Sequence, residues 1–154
     1  MLSTTPNERR GSTSLDFEVL KEPWNLYHVS DGSKLRIRIV LKDVRRVVKG
    51  NVPEYFPTAY VMIVVICAPE LKGTPSIPSS EEVKKGAERT DISFETIALE
   101  NNDYLLSDGT RIKMYFNIDE ISRTSLYDAN GDRIYKIDHF VTRKIKLAPQ
   151  YSEQ

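Results

Sequence analysis

From Lys34 onward the chain alternates. Leu35, Ile37, Ile39 and Leu41 take every second position, while Lys34, Arg36, Arg38 and Lys42 lie on the other parity. A period of two predicts a strand with one buried and one wet face. The alternation returns at Ile112, Met114, Phe116 and Ile118. In both places it then slips, because the next apolar residues are Val44 and Ile121, a step of three. A change of face inside a strand predicts a bulge or bend. Each strand follows an Asp-Gly pair, Asp31-Gly32 and Asp108-Gly109. Between apolar residues this pair predicts a type I′ hairpin, which needs positive φ at both central residues. Asn130-Gly131 predicts a further turn of this kind, and it explains the short acidic run Asp128 to Asp132 better than a calcium loop does.

The two regions resemble each other residue by residue. With the Asp-Gly pairs superposed, Tyr27 meets Tyr104, Ser33 meets Thr110 and Arg46 meets Arg123. Further along, Tyr55 meets Tyr135, Tyr60-Val61 meets Phe140-Val141, and Ala68-Pro69 meets Ala148-Pro149. Repeats of this length are a primary signal of architecture. The chain therefore divides into a polar tail over 1–14, a β repeat over 15–69, a polar linker over 70–91, a second β repeat over 92–149 and a tail over 150–154. In the linker, Ser79-Ser80-Glu81-Glu82 and Gly86 predict one or two helical turns and no more. The fold expected is all-β: two tandem meanders with bent strands of the SH3 or OB kind, packed as a pseudo-two-fold barrel or sandwich. A unit of 55 residues alone buries too little surface to be more than marginal, so one fused body is expected.

The last strands of the two repeats differ. Tyr60 to Ala68 is apolar on both faces, whereas Phe140 to Leu147 is wet on one. A strand with two apolar faces must be covered twice. The first expectation is that it lies between the repeats within one core, and the second is that one face meets another subunit.

Composition narrows the function classes. Among 154 residues, Lys+Arg and Asp+Glu both number 22, so the net charge is zero. A protein that mainly neutralises phosphates carries a basic excess. The one cysteine, Cys67, lies in an apolar run and reads as a buried core thiol. The longest apolar stretch is about half a membrane span, and 1–14 has no apolar core of a signal peptide. A soluble, cytoplasmic protein without a membrane contact is expected. No phosphate loop, paired-cysteine motif or His-x-x-x-His pattern is present, so no cofactor, metal ligand or catalytic residue is assigned. His28 and His139 read as structural or surface residues. Asp31 and Asp108 read as turn residues.

Three function classes follow. The leading one is a non-catalytic interaction or assembly subunit that binds a protein partner or itself. Its anchors would be Trp24, Tyr55, Phe56, Arg46 and Arg123, since aromatic and arginine side chains dominate such contacts. The bland reading of the two arginines is a salt bridge three residues back, to Asp43 and Glu120. The alternative is a single-stranded nucleic-acid binder, with Lys34, Arg36, Arg38, Lys42 and Arg45 as a basic face and aromatic side chains as stacking platforms. The third is an enzyme whose residues meet only in three dimensions, which a pocket holding His28 or His139 beside a carboxylate would support.

Overall fold

The computed structural model describes residues 11–152, so the tails over 1–10 and 153–154 lie outside the described residues. The chain is mostly strand and forms two antiparallel sheets of five strands each. In the first sheet β1 (Thr13–Leu15) and β3 (Asn25–Val29) share one edge of the long β4 (Lys34–Lys49). Strand β5 (Val52–Ile66) runs along the other edge, and β7 (Phe94–Ala98) lies beyond β3. In the second sheet β6 (Ala87–Arg89) and β8 (Asn102–Leu106) share one edge of β9 (Arg111–Tyr127). Strand β10 (Arg133–Lys146) takes the other edge, and β2 (Phe17–Lys21) lies beyond β8.

Strand order is thus the same in both sheets, with an exchange at one side. Strand β2 leaves its sequence neighbours to pair with β8, and β7 does the converse with β3. The inner faces of both sheets supply one core, in which Leu35, Ile37 and Ile39 meet Ile112, Met114 and Phe116. Tyr27 and Tyr104 are buried beside them.

The parity slips are bulges. Between β4 and β5 the register jumps from Leu41 to Asp43, leaving Lys42 unpaired. Between β9 and β10 it jumps from Glu120 to Ile118, leaving Asp119 unpaired. The turns form where expected but not as type I′. Val29 N–H donates to the Ser33 carbonyl at 2.8 Å, and Gly32 N–H donates to the Val29 carbonyl at 3.0 Å. This is a three-residue loop ending in a bulge, so only the glycine takes positive φ, 95° at Gly32 and 91° at Gly109. Asp31 keeps a negative φ, and its carboxylate accepts the Ser33 N–H.

Other expectations are corrected. Of the barrel or sandwich expected, no closed barrel is shown: neither sheet closes on itself among the described residues. Strand β5 is covered on one face, where Val61, Ile63 and Val65 pack against the core, and not on both: among the described residues it pairs with β4 alone and is an edge strand. Thr13 and Ser14, read as tail, belong to β1, and the end of the linker forms β6. The linker also carries α1 (Ser80–Lys85). There the Ser79 hydroxyl accepts the Glu82 N–H and the Glu82 carboxylate accepts the Ser79 N–H, a capping box. A short helix, α2 (Pro149–Ser152), follows β10.

Candidate interaction face and buried charge clusters

Three of the residues singled out from the sequence meet on the outer face of the first sheet. Trp24 precedes β3, and the guanidinium groups of Arg36 and Arg38 stand 4.7 and 5.8 Å from its ring centre. Arg38 also reaches Glu22 at 3.4 Å. Lys34 lies on the same face, and the Lys42 ammonium is 5.9 Å from the Tyr60 ring. Past the bulge Arg45 donates to the Ser12 hydroxyl, with half-buried Phe56 as its cross-strand neighbour. The basic stripe is therefore split: Trp24, Arg36 and Arg38 form a stack, and Arg45 stands apart.

Beside that stack runs the outer face of the strand that is apolar on both sides. Tyr60, Met62, Val64 and Ile66 project outward from β5 and are 41–54% exposed. Their cross-strand neighbours on β4 are Val40, Arg38, Arg36 and Lys34. The apolar run was visible in the sequence, but its position at an open sheet edge was not.

Tyr55, Arg46 and Arg123 lie elsewhere, inside two matching clusters. Arg46 donates to the Asp108 carboxylate at 3.1 Å, and the Tyr55 hydroxyl donates to the same oxygen at 2.6 Å. In the other cluster Arg123 donates to Asp31 at 3.0 Å, and the Tyr135 hydroxyl to the same oxygen at 2.5 Å. The hydroxyl of Thr110 contacts Tyr55, and that of Ser33 contacts Tyr135. These same hydroxyls accept the backbone N–H groups of Ala148 and Ala68. The expected local pairs with Asp43 and Glu120 do not form: each arginine reaches the turn aspartate of the other half. Tyr55 is buried, which, reinforced by Asp108, pushes its hydroxyl pKa up to about 12. Burial, followed by Asp31, likewise raises Tyr135.

Both aspartates lie net below the ordinary carboxylate range. Burial pushes each up, and the tyrosine hydroxyl, the backbone N–H of the turn and the arginine outweigh it. A carboxylate so saturated with donors is held ionised and locked in place, which is the behaviour of a structural clasp.

Neither histidine joins the two clusters. His139 stacks on Phe116 at 5.2 Å, and its Nδ1 contacts the Ile137 carbonyl. His28 is exposed on β3. A groove of 740 Å³ between Asn51–Pro53 and Lys146–Tyr151, and one of 340 Å³ between Ile63 and Tyr135, contain neither. No group of three or more His, Cys, Asp or Glu with metal-binding geometry occurs among the described residues. Among them no helix is long and apolar enough to cross a membrane. The chain matches no known protein family, no curated protein and no solved structure.

Proposed function

We propose that this protein is a non-catalytic interaction or assembly subunit that docks through the outer face of its first sheet. One observation carries the reading: four exposed apolar side chains, Tyr60, Met62, Val64 and Ile66, lie on a long strand whose outer edge no described strand pairs. Uncovered edges of this kind are aggregation sites, and folded proteins charge or cover them. A cytoplasmic setting suits a chain whose lone thiol, Cys67, is buried and unpaired.

The scaffold itself is best understood as a duplication, with 15–69 and 92–149 as two copies packed like a sandwich. Matching strand order, matching bulges at Lys42 and Asp119, and the reciprocal Arg–Asp–Tyr clusters support that reading.

A second reading, single-stranded nucleic-acid binding, draws on the stack of Trp24 with Arg36 and Arg38. One purification separates the two. Tagged protein drawn from its own cells is sized by light scattering while absorbance is followed at 260 and 280 nm. A mass above that of the monomer with a protein-like absorbance ratio, lost when the β5 column is made polar, is the expected result. A nuclease-sensitive 260 nm signal, weakened by Trp24→Ala by about 1–3 kcal/mol, would transfer the conclusion to nucleic acid.

A further inference from the structure

Resting on the interaction reading above, the nature of the partner follows from the charge pattern of β5. Between Tyr55 and Ile66 there is no charged side chain, and from Thr58 to Ile66 there is no proline either. The strand therefore offers a partner nothing to complement electrostatically. Three of the nearby cations are already engaged, Arg36 and Arg38 over Trp24 and Lys42 over Tyr60. What the edge offers is an unbroken backbone ladder and an apolar column, and these complement themselves.

We propose that a second copy of this chain pairs with the first through β5, antiparallel about a two-fold axis at Ile63. This register sets Tyr60 beside Ile66 of the second copy and Met62 beside its Val64. Side chains alternate faces with a period of two, so all four apolar positions stay on the outer face. A two-fold contact uses the same patch on both copies, which suits a column without charge. The stripes of Lys34, Arg36 and Arg38 end up three strand spacings apart, roughly 14 Å. That exceeds the screening length of about 8 Å at physiological salt, so their repulsion does not oppose pairing. The equivalent edge, β10, carries Thr142, Arg143, Lys144 and Lys146. Pairing there would bring like charges of two copies within a strand spacing, which is destabilising. The result is a closed dimer with one ten-stranded sheet rather than an open fibre.

The test compares the full chain with the variant Met62→Thr/Val64→Lys/Ile66→Lys, which installs on β5 the residues that β10 carries at 142, 144 and 146. Light scattering should give twice 17.7 kDa for the wild type and 17.7 kDa for the variant, with unchanged circular dichroism. Independently of how the variant folds, Ile63→Cys should yield an oxidised dimer on a non-reducing gel, while Ile145→Cys on β10 should not. A wild type that stays at 17.7 kDa at all concentrations overturns the proposal. So does a dimer that survives the exchange, or an Ile63→Cys protein that never cross-links. A monomer that instead forms a complex with a different chain through the same column overturns the second copy but keeps the interaction reading. A monomer that binds nothing sinks both.

Discussion

Strands β5 and β10 hold matching places at the edges of their sheets and present opposite surfaces. Outward from β5 come Tyr60, Met62, Val64 and Ile66, and at the corresponding positions of β10 come Phe140, Thr142, Lys144 and Lys146. Among the described residues both strands pair on one side only. Lysine on an exposed edge is a standard defence against edge-to-edge association. One edge is thus guarded and the other bare on frames of the same strand order, which separates what the frame requires from what the surface does. The buried clusters teach the converse lesson. Arg46–Asp108–Tyr55 and Arg123–Asp31–Tyr135 keep the same groups in both halves because each clasps the other half. Fold-bearing positions agree between the halves, and the exposed column does not.

The largest effect should come from reversing the guard. Thr142→Met/Lys144→Val/Lys146→Ile makes the β10 edge as apolar as β5, and a chain with two bare edges should form species larger than a dimer in sedimentation velocity. No change in mass would break the comparison and show that edge composition does not control assembly.

Next comes the pair of clasps. Asp108→Ala removes the carboxylate that faces Arg46, leaving it the Tyr151 hydroxyl at 3.3 Å. It should cost about 3 kcal/mol in urea unfolding, in the range for stranding one partner of a buried ion pair. Asp31→Ala should cost about 1 kcal/mol less, because Arg123 keeps Glu88 at 3.1 Å. Equal losses would mean that Glu88, itself partly exposed, adds nothing.

The smallest effect is that of pH. A carboxyl whose folded pKa is lowered binds protons more readily when unfolded. It adds stability above its unfolded value, near pH 4, and that stability is lost as pH falls through the folded value. Melting temperature should therefore drop below about pH 4, and Asp31→Asn/Asp108→Asn should flatten that drop. A variant that keeps the wild-type slope would show that other carboxylates govern the acid limb.

What the sequence by itself determined is local. Alternation placed β4 and β9 and their buried faces, the step of three placed both bulges, and the glycine pairs placed the hairpins, since each depends on neighbours within a few residues. The short helix α1 was equally readable, from Ser79 to Glu82 and Gly86. The candidate site was legible only in part: Trp24, Arg36 and Arg38, named from the sequence for different reasons, come together in space, while Tyr55, Arg46 and Arg123 turn inward. The tertiary structure alone decided the exchange of β2 and β7, the place of β5 at an edge, and the reach of each arginine across to the other half's turn. Sequence spacing carries no information on these. The exchange pairs β2 with β8 some 85 positions away, Phe17 opposite Leu106 among them. A strand apolar on both faces reads the same whether its second face meets the core, a neighbouring strand or another copy, because burial is non-directional. Only the three-dimensional arrangement shows that, among the described residues, the second face of β5 is exposed.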